Sequence, residues 1–383
     1  GLSPAVFLTT TPTVGTKMSR ASATMRLRRV SSRGYCFAVG SGRRGFAATA
    51  SICLDWTPNT NHSGIYAAKE LGYFEEEGID VSVVVPGPED SLTPGRKVAR
   101  GHCTFAISSS ESAVSFATQT KDTRLVAVAA LVQGSTSSIC TLTSSGIDRP
   151  RLLDGKRYAS YDGRFEDAIV KQMVQNDGGK GDVAFHSLDM HGYGEDDTMA
   201  HGSVVSSYLK ADRSDSTWIF THWEAVKAMH EGTHLNLFTL EDYGIPYGYS
   251  PVLLATESTL DKDPEVVRKT LNALEKGYRF AYDNPIRAAE ILVSQAKHPS
   301  LDDLSFIEAS QLSISDKYLT DVVDDDDEDE GVWGVMELNR WSKWVDFLFE
   351  KGIIVDRDGV AVPRDTVQVE ALFTNEFLPT YTS

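Results

Sequence analysis

From Ala50 onward the chain alternates short β-branched and apolar runs with stretches whose apolar positions recur at helical spacing. That is the pattern of an α/β fold, a mostly parallel sheet with helices on both faces. Strands are predicted at 51–56, 80–85, 103–108 and 124–131, with helices at 64–71, 94–100 and 111–119 between them. Gly72 ends the first of these helices, and Pro86-Gly87-Pro88 closes the second strand. A second series follows, with strands at 138–143, 157–161, 216–221 and 247–255 and helices at 165–175 and 223–231. The chain then turns helical at 263–284, 285–296 and 338–351. Two α/β blocks followed by a return to helices predict two lobes joined by two crossovers. Residues 51–145 and 255–383 make the first lobe, 146–254 the second, and hinges fall near 145 and 254. Ligands of open parallel sheets sit beyond the carboxyl ends of strands, so two such sheets facing one another enclose a cleft.

Residues 1–50 are different material. No Asp or Glu occurs there, while Lys17 and seven arginines stand among Ser, Thr and Ala. Such composition reads as an organelle import peptide, with Met18 a candidate start. The expected location is an organelle, the mitochondrial matrix ahead of a plastid, as a soluble protein. The whole chain of 383 residues carries a formal charge of −17, and its remainder holds 29 basic against 54 acidic side chains. A body this acidic disfavours nucleic acid and anionic lipid as partners. No apolar run approaches the length of a transmembrane helix.

Cys36, Cys53, Cys103 and Cys140 lack CxxC spacing and are expected as buried free thiols. Nine scattered histidines offer no HxxxH pair, so no metal site is expected. Residues 324–330 are seven consecutive acids, read as a solvated loop without chemistry.

Four segments fall at predicted strand ends. In the first, Trp56 follows a strand in a loop stiffened by Pro58, oriented as a stacking plate, while Asp55 and Asn59 can bond a ring edge and His62 is a further candidate ligand contact, or else simply begins the helix. In the second, Ser109 or Glu111 faces the cleft while Ser110 caps a helix. In the third, Tyr161, Asp162, Gly163 and Arg164 form a strand–turn–helix start whose free N–H groups suit an anion or polar tip. In the fourth, Trp223 stacks and Glu224 accepts from ring or amino N–H groups, joined later by Tyr247. There is no GxSxG, HExxH, P-loop or GxGxxG motif, so no catalytic residue is assigned. Aromatic plates with few polar groups suit a small-molecule pocket.

These segments resemble the thiamine-pyrimidine family, which joins bacterial periplasmic pyrimidine-binding proteins to fungal hydroxymethylpyrimidine phosphate synthases. The stretches that carry the resemblance are LDWTPNTNHSGIYAAKELGYFEEEGIDV, ARGHCTFAISSSES, DGKRYASYDGRFEDAIVKQM, TWIFTHWEAV, YGYSPVLLAT and FTNEFLP. The resemblance implies a type II periplasmic-binding-protein fold, with Trp56, Tyr161, Trp223 and Glu224 lining a pyrimidine pocket. Its synthase branch implies pyridoxal phosphate on a Lys, a donated His and a cysteine cluster handling iron. Here residues 106–112 hold neither Lys nor His, and residues 244–249 hold no Cys. A serine cannot form a Schiff base. No cofactor is therefore expected, pyridoxal phosphate and iron belonging to the synthase alternative alone. The reading that follows is closure of two lobes on a small planar heterocycle, a thiamine-type pyrimidine, with a permease partner unsupported by any residue.

Overall fold

The computed structural model describes residues 48–87, 90–120, 123–188, 204–320, 331–356 and 359–379. The import peptide expected at 1–50 lies outside the described residues up to position 47, and the acidic run lies wholly outside them. Two five-stranded mixed sheets organise the remainder. The first orders as β2 (Ile79–Val84), β1 (Ala48–Cys53), β3 (Phe105–Ser108), β10 (Val252–Thr256) and β4 (Leu125–Ala130). The second orders as β7 (Ala184–Ser187), β6 (Arg157–Ser160), β8 (Ser216–Phe220), β5 (Ser137–Leu142) and β9 (Leu235–Thr239). In each sheet one strand runs antiparallel to both neighbours, β10 in the first and β5 in the second. These are the strands that have just arrived from the other lobe.

The pairings move the crossings away from positions 145 and 254. β5 already belongs to the second sheet and β10 to the first, so the chain crosses within 131–136 and within 240–251. The strand expected at 247–255 begins only at Val252, because the main chain before it is bonded elsewhere. Ser110 N donates to Tyr249 O at 2.9 Å and Leu131 N to Pro251 O at 3.1 Å. β7, β9 and a helix at Leu304–Ile314 were not predicted, while helices at Glu111–Gln119 and Pro285–Ala296 match their expected bounds.

Cys53 and Cys103 form a disulfide, Cα atoms 6.3 Å apart, where two free thiols were expected. The parallel β1–β3 pairing brings these distant positions side by side, a proximity no spacing rule could reveal. Cys140 is a buried free thiol.

All six residues of β4 are buried although it ends its sheet. The C-terminal segment covers that edge: Ala127 N donates to Leu372 O, and Thr374 N to Ala127 O, both at 2.9 Å. An uncovered apolar edge would invite pairing with another chain. Behind β1, the helices Ser63–Glu70 and Pro264–Asp283 approach closely enough to require glycine. A Cβ on Gly64 would lie 2.3 Å from the Tyr278 ring, and one on Gly277 would lie 2.1 Å from Gly64 O. The same helix sends the Tyr278 hydroxyl to Asn61 O at 2.8 Å, and Tyr318 donates to Thr60 O at 2.6 Å. The C-terminal helices thus hold the loop after β1 from behind.

Candidate functional site

The carboxyl ends of β1, β3, β6 and β8 converge on one cleft with a volume of about 260 Å³. That size suits a single substituted ring. Of the residues selected from sequence, Asp55, Trp56, Asn59, Ser109, Tyr161, Gly163, Trp223, Glu224 and Tyr247 line it. His62, Asp162 and Arg164 do not. Asp162 and Arg164 are exposed, and the Asp162 carboxylate accepts from Ser187 Oγ at 2.9 Å instead.

His62 is fully buried behind Asp55. Its Nδ1 accepts from Asn59 N at 3.2 Å, which places the proton on Nε2, 2.9 Å from Asp55 Oδ1. Asn59 Oδ1 accepts from Asn61 N at 2.9 Å, closing a reciprocal cap on the short turn Thr60–His62. The predicted ligand contact at His62 is instead a support that aims the half-buried Asp55 carboxylate toward the cleft.

The anion pocket expected after β6 is already filled. Glu166 accepts from Tyr161 N at 3.1 Å, Gly163 N at 3.0 Å and the Tyr158 hydroxyl at 2.9 Å. The chain's own carboxylate therefore takes the N–H groups offered to a ligand. Burial pushes the Glu166 carboxyl up to about 7 despite those bonds.

Glu111 and Glu224 complete the acidic lining. Burial raises the Glu111 carboxyl, opposed by the Tyr247 hydroxyl that donates to it at 2.9 Å and by the charge of Arg164. Glu224 stands on a wide π-helical turn, Thr221–Ala225, that opens the helix predicted at 223–231. Its Oε2 accepts from Phe220 N at 2.8 Å, and burial pushes this carboxyl up to about 7 as well. Single π-turns of this kind recur where a helix must aim a functional side chain.

Aromatic rings close the cleft from both lobes. Trp56 meets Tyr161 edge to face with centroids 6.1 Å apart. Trp223 packs on Phe306, from the unpredicted first-lobe helix Leu304–Ile314, at 4.7 Å, so part of this indole is a cross-lobe contact rather than a free plate. Trp218, Phe220 and His222 also line the cleft and were not selected from sequence. Glu111 was one of the two cleft-facing candidates of its segment, whereas Glu166 was not selected and offered only its place as the first residue of a helix.

The lining holds four carboxylates and no Lys, Arg or Cys. A Schiff base to pyridoxal phosphate needs a lysine, and iron of the synthase kind needs soft thiolates, so the cleft residues fit neither group. Among the described residues no group of three His, Cys, Asp or Glu is placed to hold a metal ion. No described helix is long and apolar enough to cross a membrane.

A family described as NMT1/THI5 like matches residues 59–288. The formylaminopyrimidine-binding protein of Halalkalibacterium halodurans is 28% identical over 301 residues, covering 78% of this chain and 84% of that protein. The 4-amino-5-hydroxymethyl-2-methylpyrimidine phosphate synthase of Legionella pneumophila is 26% identical over 250 residues, covering 64% and 73%. Among solved structures, the alkanesulfonate-binding protein of Xanthomonas axonopodis superposes with a TM-score of 0.59 at 12% identity, over 85% of this chain and 98% of that one. The fold is that of the periplasmic binding proteins.

Proposed function

This chain belongs to the NMT1/THI5 like family, and on that footing we propose that it closes its lobes around an unphosphorylated aminopyrimidine related to thiamine, as a binding protein rather than a synthase. The observation that carries this reading is the charge of the cleft. Asp55, Glu111, Glu166 and Glu224 line it with no cationic side chain among the lining residues. Carboxylates are acceptors when ionised and suit the N–H groups of an aminopyrimidine edge. A phosphate ester would find among the lining residues none of the Arg or Lys side chains that phosphate recognition uses. Trp56, Tyr161 and Trp223 supply the flat apolar walls a heteroaromatic ring needs. Both relatives are named for pyrimidines, which supports the ring class.

Calorimetry tests this directly. Aminopyrimidines with neutral substituents are expected to bind, their phosphate esters at least about tenfold more weakly. An absence of binding by any aminopyrimidine, thiamine or flavin-like ring would sink the reading. Rescue of a pyrimidine auxotroph by the gene, with a Schiff-base absorbance in the purified protein, would replace it by the synthase alternative.

A further inference from the structure

His222 has no use in the site as described so far. It is 1% exposed and lines the cleft, yet neither Nδ1 nor Nε2 has a hydrogen-bond partner among the described residues. Asn61, 6% exposed and also lining the cleft, has an equally unpartnered side-chain oxygen. Buried polar atoms in native proteins are almost always paired, so an orphaned set in a cavity wall points to a partner that arrives with the ligand. Several other polar groups of the lining are engaged within the protein: Asn59 caps its own turn, Asp55 accepts from His62, and Glu166 accepts from three donors.

Resting on the pyrimidine reading above, we propose that His222 and Asn61 form a polar subsite that recognises a substituent arm of the ring, one ending in a group that both donates and accepts, such as a hydroxyl or an amide. A neutral imidazole presents one donor and one acceptor, and the Asn61 oxygen adds a second acceptor. An arm carrying both functions satisfies them together, whereas a methyl leaves them orphaned. The imidazole is neutral because burial, with the charge of Lys317 adding to it, pushes its pKa down to about 3. The subsite accordingly reads hydrogen-bonding pattern rather than charge. This arrangement also supplies selectivity: a pocket built to bond a polar arm rejects the analogue that lacks it, because its own groups are left unpaired.

The test is calorimetry on the whole protein with two probes, an aminopyrimidine bearing a hydroxymethyl or formamidomethyl arm and the same ring bearing a methyl. The wild type is expected to prefer the polar arm by about tenfold or more. His222→Phe should abolish that preference while holding the methyl compound within about twofold, since the aromatic volume is kept and only the polar function is lost. His222→Gln, which restores a donor and an acceptor, should recover part of the preference and serves as the readout should the Phe variant fail to fold. Thermal unfolding of the unliganded His222→Phe protein should shift upward or not at all, because an orphaned polar group has been removed. Equal loss for both compounds, or no preference in the wild type, overturns the subsite and leaves the pyrimidine reading standing. Failure of both compounds to bind the wild type overturns both readings.

Discussion

The indole of Trp56, just past β1 of the first lobe, meets the phenol ring of Tyr161, just past β6 of the second, edge to face at 6.1 Å. Two rings from separate sheets therefore form one corner of the cleft, and removing either should cost ligand affinity far more than stability. Trp56→Ala is expected to weaken ligand binding by roughly 10- to 100-fold, the range for truncating a central aromatic anchor. Because Trp56 is only half buried, the unfolding free energy should change by about 1 kcal/mol or less. Calorimetry and thermal unfolding on the same variant separate the two. A large drop in stability with affinity unchanged would reassign Trp56 to the core.

Glu224 and Glu166 predict an unusual pH dependence. Each carboxyl is pushed from its ordinary value of 4.5 up to about 7, burial being the first cause. Between those two values the unfolded chain has lost its protons while the folded protein keeps them. The unfolded state then binds fewer protons, so stability falls as pH rises through this window. The melting temperature of the unliganded protein should decline between about pH 5 and pH 7. Glu224→Gln, neutral at every pH, should flatten that decline. Ligand affinity should move the opposite way, rising toward pH 7 as the carboxylate ionises and becomes an acceptor for amino N–H groups. A wild-type melting temperature that climbs across the window contradicts the assignment.

His62 acts through Asp55. With Nδ1 taken by the Asn59 main chain and Nε2–H given to the carboxylate, the ring locks the direction of Asp55 without reaching the cleft. His62→Leu should lower ligand affinity about tenfold, the value of one hydrogen bond to a charged group. It should also lower stability by about 1–3 kcal/mol, since Asn59 N loses its acceptor inside the fold. His62→Gln, able to donate to Asp55, should recover much of the affinity. Equal affinities for the Leu and Gln variants would show that packing alone is at stake.

Arg340 ties the two crossings together. Its guanidinium donates to Gln133 O in the first crossing and to Gly248 O, at 2.9 Å, in the second, while lying 4.1 Å from the centroid of the Tyr249 ring. A lysine cannot serve both carbonyls and the ring face from one rigid plane. Arg340→Lys is expected to destabilise the protein by about 1–3 kcal/mol. Hydrogen exchange should quicken at residues 131–136 and 240–251, with the sheet interiors unchanged. Uniform exchange across both lobes would deny the strap.

Part of this architecture was readable residue by residue. Glu111–Gln119 and Pro285–Ala296 start at an acid and at a proline after Asn284, local signals that work without tertiary context, although the cap expected of Ser110 does not form, its hydroxyl making no bond to the helix. The two unforeseen strands, β7 and β9, are short and carry mixed burial, so their alternation was too weak to mark them. The helix Leu304–Ile314 has apolar residues on more than one face, since it packs both behind the loop after β1 and against Trp223.

What the chain determined by itself was local: which segments extend, which coil, and which aromatic and acidic residues stand where a strand ends. Those properties depend on side-chain spacing within about a dozen positions. Tertiary structure alone decided which partners meet. It set β5 and β10 into the opposite sheets, joined Cys53 to Cys103, gave the N–H groups after β6 to Glu166, and left His222 unpaired in the cleft wall. Each of these rests on residues far apart in sequence or on competition among neighbours for the same donor. Hydrogen bonds and packing act through space, so linear spacing carries no record of who wins.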